Sequence, residues 1–153
     1  MSRLRKQSIE GEQGFTLVEL LVVILIIGIL AAIAIPSFLS QKGKATDASA
    51  KELARTAQAT AETYATDHGA FYTGMTVAEL QAYEKSIASC PNTSNACLLS
   101  VTVTGTEEYK LTAEAPDKHT FSVTRKASGA TERTCTPTGQ TGAAAGGCQN
   151  SSW

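Results

Sequence analysis

One carboxylate lies where charge is costly. Glu19 sits inside Phe15–Ile35, a run of 21 residues built almost wholly from Leu, Val, Ile and Ala, and it is the only charge in that run. A lone carboxylate beside hydrocarbon must be neutralised, drawn to an interface or paired with a cation. One partner is local: Thr16-x-x-Glu19 has the spacing of a capping box ahead of an apolar helix. The other reactive residues are four cysteines and two histidines. Cys90, Cys97, Cys135 and Cys148 all follow the apolar run, and their even number points to disulfides in an oxidising compartment. Four cysteines allow three connectivities. Pairing Cys90 with Cys97 and Cys135 with Cys148 closes two small loops rich in turn residues. A redox pair needs Cys-x-x-Cys, which neither has, and a zinc site lacks both the spacing and the nearby histidines. No metal and no cofactor are therefore expected.

His68 stands beside Asp67 and reads as part of a helix-end pair, and His119 reads as a strand-edge residue. Neither has a nucleophile to serve. The chain has no Gly-rich phosphate loop and no nucleophile elbow, so an enzyme is not expected. Asn92-Thr93-Ser94 and Asn150-Ser151-Ser152 fit a glycosylation pattern that arises often by chance.

The elements that must position these residues begin with the apolar run itself. As a helix it spans roughly 30 Å, the thickness of a bilayer's hydrocarbon core. Residues 1–14 before it are polar and carry Arg3, Arg5, Lys6, Glu10 and Glu12. The whole chain has 153 residues and a formal net charge of −1, leaving −2 from Phe15 onward. That balance is a poor footprint for a nucleic-acid binder, so DNA is a possible partner but a disfavoured one. Basic residues flank both ends of the run, with Lys42 and Lys44 behind it, so the positive-inside rule orients it only weakly.

Pro36 cannot donate an N–H, yet helix-compatible sequence resumes after it, which predicts a kink rather than an end. From Ala45 to Ala65, Ala50, Leu53, Ala54, Ala57, Ala61, Tyr64 and Ala65 recur at helical spacing and form one packing face. Lys51, Glu52, Arg55 and Glu62 read as the solvated opposite face. Gly69 stands where a helix would close, and a continuous helix from Phe15 to Asp67 would be roughly 80 Å long. Half of it would be bare apolar surface, which calls for lipid or for copies of itself.

Phe71 and Tyr72 read as core plugs under a loop. Thr76-x-x-Glu79 opens a short helix over Val77–Tyr83. Strands are expected at Leu98–Thr104, Glu108–Glu114 and His119–Lys126, with Tyr109, Leu111, Ala113, Phe121 and Val123 facing inward. Gly105 and Pro116-Asp117 mark the turns between them. Beyond Ala127 the chain is rich in Gly, Ala, Thr and Ser with little to bury, shaped only by its disulfide loop. The expected fold is α+β: a long N-terminal transmembrane and assembly helix packed on a small antiparallel β-sheet head.

Gly14-Phe15-Thr16-Leu17-Val18-Glu19, followed by the apolar helix through Gly28 and Pro36, resembles the type IV pilin and pseudopilin family. An ordinary secretory signal is cut after its apolar region, whereas this junction precedes it, so the helix would be kept. The likeness runs from about Gly14 to Gln41; Gln13 departs from the Lys or Arg usual before the junction. The resemblance implies a leader at 1–14, an assembly half of the helix at 15–41 and a head at 42–153. It implies that a prepilin peptidase cuts between Gly14 and Phe15 and N-methylates Phe15. It implies further that Glu19 faces the N-terminal ammonium of a neighbouring Phe15, a group with an ordinary pKa of about 8.

Gly28 and Pro36 bound the segment that such subunits loosen on assembly, in keeping with the weak helix propensity of both residues. The alternative reading of Gly28 is close helix approach in the membrane. The implied function is that of a filament subunit stored in the cytoplasmic membrane, then assembled at the cell surface or across the periplasm. Its partners would be copies of itself, other pilins or pseudopilins, the inner-membrane assembly machinery and membrane lipid. A type II secretion pseudopilin and a competence pseudopilin remain as alternatives. The mature chain is expected to begin at N-methylated Phe15, which N-terminal mass spectrometry of protein from its host would read directly; a Met1 start in assembled protein would end this reading.

Overall fold

The computed structural model describes residues 14–91, 94–136, 148 and 151–153. The leader before Gly14, the asparagines of both glycosylation patterns and the interior of the Cys135–Cys148 loop lie outside the described residues. The chain divides into two units between Ser37 and Phe38. Helix α1, Leu17–Asp67, begins in the first and ends in the second, and it continues through Pro36.

In the first unit α1 is apolar on every side. Leu17, Val18, Leu20–Ile27, Ile29, Leu30, Ile33 and Ile35 are all exposed. This is the one helix among the described residues long and apolar enough to cross a membrane.

In the second unit the same helix becomes one-sided. Asp47, Ala50, Ala54, Ala57, Ala61, Tyr64 and Ala65 are buried at intervals of three and four residues. The alanines on this stripe have only a methyl group to place between helix and sheet. Helix α1 closes at Gly69, whose φ of +67° is one that glycine adopts without strain. Helix α2, Val77–Tyr83, starts where Thr76 Oγ1 accepts the Glu79 N–H at 3.2 Å, and it buries Leu80.

The sheet is an antiparallel meander in the order β1-β2-β3-β4, with β1 at Cys97–Thr104, β2 at Glu108–Glu114, β3 at Thr120–Arg125 and β4 at Thr131–Thr136. Tyr109 pairs with Arg125, Leu111 with Val123 and Ala113 with Phe121, so the inward residues of the two central strands lie side by side. Gly105, at φ +68°, turns β1 into β2. The core has two parts. Ala57, Ala61 and Tyr64 of the helix meet Tyr72, Leu80, Leu98, Tyr109 and Leu111. Ala50 and Ala54 meet Ala113, Phe121, Val123 and the Cys135–Cys148 bridge.

Strand β4 is where the structure exceeds the sequence reading. Thr-Glu-Arg-Thr-Cys-Thr has no large apolar residue, and Cys135 is its only buried side chain. The strand is held by its ladder to β3, from Thr120–Thr136 to Arg125–Thr131, and by its disulfide rather than by an apolar face. Phe71 also differs from expectation: it is exposed, and Tyr72 alone is the core plug.

Both outer strands are covered along part of their free edge. Leu98 N–H donates to Ala88 O at 2.7 Å and Cys90 N–H to Leu98 O at 3.2 Å, laying the segment around Ser89 against β1. On the other side Cys135 N–H donates to Ser151 O at 2.9 Å, while the Trp153 indole N–H lies over the β3–β4 seam, 2.9 Å from Thr134 O and 3.3 Å from Ser122 O.

The alanine stripe makes a quantitative expectation. Ala57→Leu should overpack the helix–sheet seam and destabilise the head by about 1–3 kcal/mol. Ala59→Leu, on the exposed face of the same turn, should change stability by less than about 0.5 kcal/mol. Denaturant unfolding of the detergent-solubilised chain, followed by near-ultraviolet circular dichroism, compares the two.

Candidate functional site

The first candidate site is the start of α1. Gly14 and Phe15 are exposed ahead of the helix, and Phe15 retains 81% of its accessible surface. Thr16 then caps the helix. Its backbone N–H and its hydroxyl donate to Glu19 Oε2 at 2.9 and 2.8 Å, and the Glu19 N–H donates back to Thr16 Oγ1 at 3.2 Å. The reciprocal capping box read from the spacing is therefore formed. It does not exhaust Glu19, because a carboxylate offers about four lone-pair sites and Thr16 fills two of them. Farther along, Gly28 has nothing within 4 Å of the place a Cβ would occupy, and Pro36 lies inside the helix.

The cysteines are paired locally, Cys90 with Cys97 and Cys135 with Cys148, with Cα–Cα separations of 5.1 and 5.8 Å. Glu114 lies beside the first bridge, but sulfur in a disulfide is no thiolate and cannot serve as a metal ligand. The two histidines do separate work. His68 stacks on Tyr64 at 3.8 Å between ring centroids, its Nδ1 2.8 Å from the Tyr64 carbonyl, while Asp67 accepts from the Tyr83 hydroxyl at 3.0 Å.

The head contains two polar clusters that the sequence reading did not find. Glu62 was expected on the solvated face of α1. Instead its two carboxylate oxygens accept from the hydroxyls of Tyr72 and Tyr109 at 2.7 and 2.8 Å, with Arg125 Nε at 3.4 Å. Arg125 also lies over the Tyr72 ring at 5.1 Å. Burial, then the bond to Glu62, pushes the Tyr72 hydroxyl up to about 12, and the same causes push Tyr109 up.

The second cluster joins Asp47, a fully buried residue of α1, to the β2–β3 turn. His119 Nδ1 lies 3.0 and 3.1 Å from the two Asp47 oxygens and 3.4 Å from Asp117 Oδ2. Burial pushes the Asp47 carboxyl up, and the bond to His119 pulls it back. His119 is thus no bland strand-edge residue. The signal for Asp47 was present in the sequence, because it precedes Ala50 by three positions on the buried stripe.

An exposed apolar helix behind a Gly-Phe junction, carrying a small disulfide-stapled α+β head, is the build of a membrane-anchored assembly subunit. Comparison with known proteins agrees. Residues 11–35 match the model described as the prokaryotic N-terminal methylation motif. The chain is 54% identical over 39 residues to a type IV major pilin protein of Myxococcus xanthus, covering 26% of this chain and 18% of that protein. It is 35% identical over 82 residues to the ComG operon protein 3 homolog of Bacillus licheniformis, covering 54% of this chain and 84% of that one. With a competence protein of Halalkalibacterium halodurans it shares 30% identity over 87 residues, covering 57% of this chain and 84% of the relative. No solved structure matches the chain. The chain belongs to the type IV pilin and pseudopilin family.

The Glu62 cluster sets an alkaline limit on the head. The raised folded-state values mean that Tyr72 and Tyr109 keep their protons where unfolded tyrosines, near 10, begin to lose them. Their contribution is complete below pH 10 and is lost as pH rises through about 12, the value for Tyr72. Stability should therefore fall from pH 10 upward. Absorbance titration at 295 nm should show Tyr72 and Tyr109 ionising only beyond the ordinary range, whereas Glu62→Ala should bring them back toward it.

Proposed function

We propose that the chain is the structural subunit of a type IV pilus-like filament, stored in the cytoplasmic membrane and cut after residue 14 by a prepilin peptidase. The observation that carries this reading is an apolar helix, bare on every side, with one carboxylate placed a single turn behind the Gly14–Phe15 junction. Cleavage frees an α-amino group at Phe15 in a region where few cations can reach Glu19. Within a bundle of such helices, the ammonium of one subunit pairs with Glu19 of its neighbour, and helix replaces lipid around Phe15–Ile35. Gly28 and Pro36 let the intervening segment loosen as the helices pack. The assembly machinery, other pilins or pseudopilins and further copies of this chain are the partners.

A second reading places the filament in a competence system rather than on a long pilus. The observation favouring it is that the Halalkalibacterium halodurans relative, matched over 84% of its own length, is a competence protein. The chain's role there is the same, a structural one, and its negative balance argues against the head itself holding DNA.

The capping box lets the pairing be tested apart from the cap. Gln also serves in a capping box, so Glu19→Gln spares the helix start but removes the charge. Loss of one partner of a shielded ion pair costs on the order of 3–5 kcal/mol, repeated at each subunit added. Glu19→Gln protein should insert and be cut normally, yet give little sheared filament relative to its membrane pool. Thr16→Ala removes the hydroxyl from the box, costs about 0.5–2 kcal/mol of helix start, and should assemble far better. Normal assembly of the Gln variant would rule out the pairing.

A further inference from the structure

We propose that Asp47, Asp117 and His119 form a binding site for a divalent ion of the zinc class, clamping α1 to the β2–β3 turn of the head. Asp47 lies 70 residues before Asp117 and 72 before His119, and each of the three offers a ligand atom, all within 4.8 Å of one another. A spacing so long and irregular leaves no motif in the sequence.

The geometry asks more of one nitrogen than a proton can supply. Three carboxylate oxygens, at 3.0, 3.1 and 3.4 Å, converge on His119 Nδ1. That atom carries at most one hydrogen, so it can satisfy one of them at a time. With a neutral imidazole the cluster holds two negative charges, and one of them is on Asp47, whose side chain is 1% exposed. Such a charge needs a cation close by. Lys51 supplies part of that positive charge through space, its ammonium lying over the Phe121 ring 5.1 Å from the centroid. Lys118, on the same turn, is held by Glu114 at 2.7 Å.

A metal ion resolves the crowding. Zinc binds oxygen and imidazole nitrogen at about 2.0–2.2 Å in a tetrahedral shell, which sets donors roughly 3.3 Å apart. The separations of His119 Nδ1 from the two carboxylates, 3.0 and 3.4 Å, bracket that value, and the three ligand atoms all lie within 4.8 Å of one another. One imidazole with two carboxylates is a donor set for late first-row ions, whereas magnesium and calcium favour oxygen alone. A supporting contact orients one donor: the backbone N–H of His119 donates to Asp117 Oδ1 at 3.3 Å. Asp117 is 33% exposed at its side chain, giving an ion a path from solvent.

The test uses the full chain in detergent, stripped with a chelator and titrated with zinc chloride by calorimetry and by thermal unfolding. One zinc per chain is expected, with a melting temperature that rises with zinc and falls again with chelator. Asp117→Asn, which keeps the shape of the turn, and His119→Gln should each weaken zinc binding at least about tenfold. His68→Ala, which changes the only other histidine, should leave it unchanged, and magnesium at equal concentration should give no shift. The site is overturned if the wild-type chain binds zinc no more tightly than Asp117→Asn, if His68→Ala abolishes binding, or if magnesium does as well as zinc.

Discussion

A single helix has to satisfy two kinds of surroundings, and most of the molecule follows from that. Up to Ser37, α1 shows hydrocarbon in every direction. No loop or strand of a chain this size could cover it, so its partners must come from outside: lipid, or other helices of the same kind. After Ser37 the same backbone meets a folded domain on one side and water on the other. The switch needs no break in the helix, only a change in which positions are apolar. Pro36 lies at the change, where a missing N–H weakens the hydrogen-bond ladder without ending it.

Alanine leaves the packed half poorly specified. Each places only a methyl group between helix and sheet, and a row of near-identical small residues gives little to distinguish one register from the next. The two polar clusters supply what the alanines lack. Glu62 engages β2 and β3 through Tyr109 and Arg125, and Asp47 engages the β2–β3 turn through His119. They stand 15 positions apart on α1, roughly 22 Å of helix. A slip of the helix by one turn would break both sets of contacts at once. Hydrogen-bonded networks of this kind define a single arrangement more sharply than apolar contact does.

Much of this was legible in the residues. The apolar run, the Thr16–Glu19 box, the α2 cap and the three strands with inward Tyr109, Leu111, Ala113, Phe121 and Val123 each follow from periodicity or a local rule, and the local disulfides follow from loop length. Three features were not. Strand β4 lacks an apolar face, so nothing in its composition separates it from a loop; pairing with β3 makes it a strand. Glu62 reads as solvent-facing because charged residues on a helix usually are, and only the fold brings two tyrosine hydroxyls to it. Asp47, Asp117 and His119 meet because a helix and a distant turn are packed together, a relation that spacing along the chain cannot express. The start of α1 shows the reverse limit: the cap is a local rule and is seen, while the pairing proposed for Glu19 would belong to no single chain.

The covered edges of the sheet carry a consequence for how copies of this protein can join. A four-stranded meander has two outer strands whose unsatisfied amides and carbonyls invite any passing strand to dock. Here the segment around Ser89 lies against one and Ser151 is hydrogen-bonded to the other, each close to a disulfide. Indiscriminate growth of heads into a continuous cross-strand ribbon is thereby discouraged. For a chain whose exposed apolar helix already favours association, that is a safeguard against precipitation, and under the filament reading proposed above it would leave order to the helices rather than to sticky margins.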